Sequence, residues 1–211
     1  MVAAAHRRSE NGSDAKRRQI LERSLEEFVA HGYVGTSTDR LAAAASVSKQ
    51  TMYRLFGDKE GVFVALITEE CDRVVDPFAP LVEEMGRVPD AEAGVMLLAE
   101  QFTASILTAK VQQLRRLVIA EATRFPELGR LYWERGFLRT ISSVARCLEV
   151  LDSRALLEVD DAELAAHHFA GLMLWIPGNQ AMFAGATVTE RQVATSIRAG
   201  ARTFLRAYAA G

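Results

Sequence analysis

The chain has 211 residues, 49% of them apolar and 25% charged, with a formal net charge of −2. That is enough for one large domain, or a small domain joined to a larger one, and fourteen Gly with five Pro exclude a low-complexity or collagen-like polymer. No apolar run reaches the length of a membrane span, and no long apolar segment follows the N-terminal basic residues. Two cysteines, Cys71 and Cys147, suggest neither a disulfide framework nor a metal motif, so the expectation is a cytoplasmic protein without metal or cofactor.

Charge is distributed unevenly. Residues 1–60 carry ten Lys/Arg against eight Asp/Glu, while residues 61–211 carry fifteen against nineteen. A weak basic excess at one end points toward a polyanion without establishing one.

Apolar residues recur at helical spacing almost everywhere and alternating patterns are scarce, which predicts an all-α fold. Residues 1–13 read as a flexible basic arm. A first helix is expected from Ala15 to His31, with Ile20, Leu21, Leu25, Phe28 and Val29 on one face and Gly32 as its left-handed terminator. Thr36 and Asp39 have capping-box spacing and predict a short helix through Ala45. Ser46-Val47-Ser48 reads as a turn, Lys49–Phe56 as a second short helix, and Gly57-Asp58 as the stop before a longer helix from Lys59 to Val75. Pro77, Pro80 and Pro89 should interrupt helix over 76–91. Further helices are expected over 92–109, 111–124, 126–150, 161–184 and 189–209, with Pro126 in a first turn.

Residues 38–57 are the most informative. Ala42 is small enough for two helices to touch, Val47 is an apolar plug for the turn, and Met52 with Phe56 anchors the second helix. Ser48, Lys49, Gln50, Thr51, Tyr53 and Arg54 are left for the outer face, hydrogen-bonding and cationic groups suited to phosphates and base edges. A helix this short spans ~10 Å, close to the width of a major groove. Lys59 could add charge at the start of the next helix.

The residues Ile20-Leu21, Ser24, Phe28, Gly32-Tyr33, Thr36-Ser37-Thr38, Leu41-Ala42, Val47-Ser48, Thr51-Met52-Tyr53, Phe56 and Lys59-Glu60 resemble the DNA-binding domain of TetR-type regulators. The resemblance implies a homodimeric, ligand-responsive regulator, usually a repressor, with a three-helix helix-turn-helix domain over 14–62 and a helical ligand-binding and dimerisation domain over 63–211. Position by position it implies DNA contacts from Thr38, Ser48, Lys49, Gln50, Thr51, Tyr53, Arg54 and Lys59. Tyr53 and Lys59 would hold phosphate; Gln50 and Arg54 would read bases. Ser46 stands where the family usually has Gly, at a cost if the turn needs positive φ. Arg7, Arg8, Lys16, Arg17 and Arg18 would either track phosphates or remain in solvent.

Leu114 to Leu128 is similar to the C-terminal domain of AcrR/AefR-like members, which implies a small apolar or amphipathic effector and dimerisation through helices 161–184 and 189–209. Ala166, Ala170 and Gly171 would permit close approach to a partner, and the arginines of the last helix would form a solvated stripe. Phe102, Ile106, Leu117, Phe125, Trp133, Phe137, Phe169, Met173 and Trp175 are candidates to line the effector cavity, each with ordinary core as the alternative. Pro177-Gly178 should kink its helix, either opening room for a ligand or ending the helix early. His167 and His168 point about 100° apart on a helix and do not chelate together. No nucleophile set, phosphate loop or paired carboxylates support an all-helical enzyme, and a ligand-free architectural protein would lack the cavity.

Overall fold

A computed structural model describes residues 2–72, 78–183 and 188–210, with side chains from Ala15 onward. The expected end of the fourth helix near Val75, Pro77, residue 184 and the Arg7 and Arg8 side chains lie outside this set. The described chain is all-α, with Leu157 and Ala209 joined in an isolated antiparallel bridge. It divides into two compact units, residues 1–73 with 113–132, and residues 74–112 with 133–211.

The first unit holds α1 (Val2–Gly35), α2 (Thr38–Ala44), α3 (Lys49–Phe56), α4 (Lys59–Asp72), most of α7 (Ala109–Glu121) and α8 (Pro126–Leu131). The helix α1 begins at Val2 and so includes the residues expected to form a flexible basic arm; Ala3, Ala4, Ala5, Arg7 and Arg8 are all good helix formers. Helical geometry is broken at Gly32, which takes φ 67° and ψ 172°. Ser37, not Thr36, caps α2, its hydroxyl accepting from the Arg40 N–H. Thr36 is instead buried and donates to the Gly32 carbonyl at 2.7 Å, closing the turn from inside. A capping-box spacing cannot separate two adjacent hydroxyl residues when one of them is needed below the surface.

Between α2 and α3 the chain makes a Schellman turn. Val47 N–H bonds to the Ala42 carbonyl, Ser46 N–H to that of Ala43, and Ser46 sits at φ 54°. Ser48 then caps α3 by accepting from the Thr51 N–H at 3.1 Å. Asp58 accepts from the Gly61 N–H and starts α4. A Cβ at Gly61 would collide with the Phe56 carbonyl, so α3 and α4 meet backbone to backbone at that corner.

One core unites this unit. Ile20, Phe28, Leu41, Met52, Phe63, Leu66 and Ile67 are fully enclosed, joined by Leu114, Leu117, Val118, Phe125 and Leu128 from α7 and α8. Each large side chain so buried contributes about 1.5–3 kcal/mol.

The second unit holds α5 (Ala79–Met85), α6 (Ala91–Ile106), a π-helical segment that begins at the unit border (Tyr132–Leu138), α9 (Arg139–Ser153), α10 (Ala162–Phe183) and α11 (Glu190–Tyr208). The short α5 forms inside the stretch expected to be broken, because Pro80 falls in its first turn. Arg154 fixes the end of α5 and the turn after it by donating to the Met85 and Val88 carbonyls, both at 2.7 Å. The helix expected over 126–150 is replaced by α8, the π segment and α9. The core of the second unit runs through a series of rings, Phe78, Phe102, Phe169 and Phe204, whose successive centroids lie 6.3, 5.7 and 5.4 Å apart.

The helix α10 continues through Pro177 and Gly178 to Phe183, so the expected early end does not occur. Ala166 and Ala170 face the core of their own chain and not a free surface. Close approach occurs instead between α10 and α11, where a Cβ on Gly200 would lie 2.8 Å from the Leu172 carbonyl.

The Ser46 turn yields a stability test. A non-glycine residue at left-handed φ costs roughly 1–2 kcal/mol, offset partly by the unfolded-state entropy of glycine. Ser46→Gly should therefore raise the thermal midpoint by a few degrees in a melting experiment; an unchanged or lowered midpoint would mean that the Ser46 side chain stabilises the turn.

Candidate nucleic-acid interface

Of the predicted contact residues, six form one face. Ser48, Lys49, Gln50, Tyr53 and Arg54 are exposed along α3 and its cap, and Thr51 is half-buried beside them. They stand out because Met52, on the opposite side of the helix, is completely enclosed, and Leu55 and Phe56 pack against the same core. The cap orders the start of this face: Ser48 and Thr51 hydroxyls lie 2.9 Å apart, so both are partly committed within the helix.

Lys49 is not free. Its ammonium lies 2.7 Å from Asp39 on α2 and 6.0 Å from the Tyr53 ring centre. The hydrogen bond and charge of Asp39 hold the Lys49 ammonium above its ordinary pKa. Thr38, half-buried at the start of α2, lies next to Asp39 in the chain and outside the α3 row.

Lys59 is the first residue of α4, as expected, and its ammonium is engaged within the chain. Its ammonium donates to the carbonyls of Tyr33 at 2.8 Å and Thr36 at 2.9 Å, and lies 4.2 Å from the Tyr33 ring centre. Two of its three protons therefore hold the α1–α2 turn. Sequence pattern cannot find this role, since the carbonyls it uses are 23 and 26 residues away. Arg17 is likewise engaged, 3.7 Å from Glu69 and 4.9 Å from the Phe56 ring centre, whereas Lys16 and Arg18 are exposed.

The turn that Lys59 holds rests on an aromatic cluster. Tyr33 stacks on Phe28 at 5.9 Å and meets Phe63 and Phe125 edge-on at 5.1 and 4.9 Å. Burial raises the Tyr33 phenol pKa, and the Arg124 charge acts in the opposite direction.

The nine effector candidates are divided between the two units. Leu117 and Phe125 belong to the core of the first unit. Phe102, Phe169 and Met173 are buried in the core of the second, with Ile106 and Phe137 packed against it. Trp133 is half-exposed and stacks on Phe137 at 4.5 Å and 14°, while Trp175 is 74% exposed on α10. His167 lies 6.1 Å from Phe137, ring centre to ring centre, and His168 shares a 2.6 Å hydrogen bond with the Tyr208 hydroxyl.

A capped helix presenting a polar and cationic row, set on a three-helix core, is a helix-turn-helix reading head. Residues 20–66 match the family of bacterial regulatory proteins of the TetR type, and residues 94–210 match the C-terminal domain of AefR-like transcriptional repressors. The chain belongs to the TetR family. A protein of Mesorhizobium loti described as a TetR-family transcriptional regulator is 35% identical, over 93% of this chain and 98% of that one, with a TM-score of 0.85. The flavonoid-responsive regulator FrrA is 30% identical over the same shares, with a TM-score of 0.67. The transcriptional repressor AcnR of Corynebacterium glutamicum is 38% identical over 79 residues, 36% of this chain; the match spans 42% of the length of AcnR.

In this TetR-family chain the Asp39 carboxylate holds Lys49, one of the residues expected to contact DNA. Asp39→Asn removes that partner and a negative charge from the reading side. It should tighten binding to operator and random DNA alike, by severalfold at low salt, with the gain shrinking as salt rises. Titration of both duplexes at two salt concentrations checks this; unchanged affinity would show that the Lys49–Asp39 pair persists on DNA.

Proposed function

We propose that the chain is a homodimeric transcriptional repressor that binds a pseudo-palindromic operator and is released by a small apolar or amphipathic molecule. The observation that carries this reading is the α3 face, where Lys49, Gln50, Tyr53 and Arg54 are exposed on a helix anchored by Met52. The functional division is a reading domain over residues 14–62 and a regulatory and dimerisation domain over 63–211, working in the cytoplasm. Among the described residues no helix is long and apolar enough to cross a membrane.

In this proposal Gln50 and Arg54 read base edges, Tyr53 holds phosphate, and Ser48, Thr51 and Thr38 add hydrogen bonds to the backbone. Lys59 contributes by holding the reading head. Each dimer presents two α3 helices to successive major grooves, ~34 Å apart. Dimerisation through α10 and α11 is supported by the apolar residues that α10 leaves exposed in the single chain: Leu164, Leu172, Trp175, Ile176 and Phe183, which rise along one side at helical spacing. Arg198, Arg202 and Arg206 supply a polar border on α11.

A planar aromatic effector is supported by two observations. FrrA, similar over nearly the whole chain, is flavonoid-responsive. Trp133 and Phe137 stack beside His167 on the π-helical segment, a backbone form often found at functional sites. Phe102, Ile106, Phe169 and Met173 form the apolar wall behind them in this reading.

The test is binding of purified protein to the DNA immediately upstream of its own coding region, at ~150 mM salt with random competitor. Saturable binding of one dimer per site is expected, with Gln50→Ala and Arg54→Ala each relaxing preference at particular base pairs. Binding no tighter than to random DNA would contradict the proposal.

A further inference from the structure

Arg124 lies at the corner between α7 and α8, 91 positions beyond Tyr33 in the chain. Its guanidinium nevertheless sits 4.8 Å from the centre of the Tyr33 ring and 5.6 Å from that of Phe125. Among the described residues no carboxylate pairs with it and no side-chain hydrogen bond holds it; the two rings are its partners. The Tyr33 carbonyl, at the same time, receives the Lys59 ammonium, which also lies over that ring. One buried phenol is thus shared by two cations, one from the start of α4 and one from the α7–α8 corner, and its backbone is the anchor of the turn that starts α2.

The corner carrying Arg124 is joined to the rest of the chain by two continuous helical segments. Before it, α7 passes from one compact unit to the other; after it, the π-helical segment does the same at Tyr132–Trp133. Arg124 and Phe125 thus lie between the two points where the chain crosses the unit border, and both rest on the Tyr33 ring.

We infer that Arg124 is a positioning residue for operator reading: from the α7–α8 corner it covers the Tyr33 ring and so fixes the turn, held by Lys59, on which α2 and α3 are mounted. The charge matters as well as the shape. A guanidinium lies flat on a ring and is weakly hydrated, so it retains cation–π attraction at an exposed position where an ammonium retains less. The inference rests on the operator-reading assignment, and one arm of its test needs no DNA.

That arm is amide hydrogen exchange over Thr36–Leu41 in the full-length protein, comparing wild type with Arg124→Ala and Arg124→Lys. Arg124 is exposed, so both variants should melt within a few degrees of wild type. Exchange of the α2 start should be about two- to fivefold faster in Arg124→Ala and intermediate in Arg124→Lys, the span of an exposed cation–π contact. Operator affinity should fall by a similar factor with the slope of log affinity against log salt unchanged. Unchanged exchange at Thr36–Leu41 would overturn the inference even if operator binding held. A salt slope reduced by about 0.9 would also overturn it, because Arg124 would then be a phosphate contact. Failure of wild type itself to prefer operator would count against the operator-reading assignment, while leaving the exchange result to be judged separately.

Discussion

The ammonium of Lys59 placed on the carbonyls of Tyr33 and Thr36 is the interaction on which the reading head depends. The end of α1 leaves carbonyl groups without helical donors, and a cation there meets both their hydrogen-bonding need and the negative end of the helix dipole. Because Lys59 is the first residue of α4, the bond ties that helix to the turn before α2. Thr36 closes the turn from within, Ser37 starts α2 from its far side, and the Ala42–Val47 Schellman turn delivers the chain to the Ser48 cap of α3. The orientation of the exposed α3 row comes from this succession of local bonds, each of modest energy and none independent of the next.

Much of this was legible in the chain because it is local. Gly32 breaks the helical geometry of α1, Ser46 takes the positive φ that a glycine usually supplies, Asp58 starts α4, and Pro126 opens α8, all by rules that act within four residues. The inner face of the helix-turn-helix was legible for the same reason: Leu41, Ala42, Ala45 and Met52 fall at helical spacing and are buried. The outer residues Lys49, Gln50, Tyr53 and Arg54 are then exposed by default.

What was not legible is what depends on distant partners. Lys59 has the sequence context of a phosphate ligand and the contacts of a clamp. Thr36 was displaced as a cap by the demand for a hydroxyl inside the turn. Leu117 and Phe125 carry no mark that assigns them to the core of the first unit and not to an effector cavity, since periodicity reports that a residue is buried and not what covers it. The same limit explains Ala166 and Ala170, small residues used for packing inside one chain, while the apolar residues that α10 leaves exposed include the larger Leu172, Trp175 and Ile176. Two cores result, and α7 and α8, far along the chain from α1, complete the first.

A positioning role for Lys59 through the Tyr33 and Thr36 carbonyls, in place of a phosphate contact, is the reading we propose. It is tested most directly by the salt dependence of operator binding by Lys59→Met, a variant that keeps much of the side-chain volume and melts cooperatively if the core is intact. Weaker binding with an unchanged slope of log affinity against log salt is the result predicted here. A slope reduced by about 0.9, the signature of one lost phosphate contact, would contradict it.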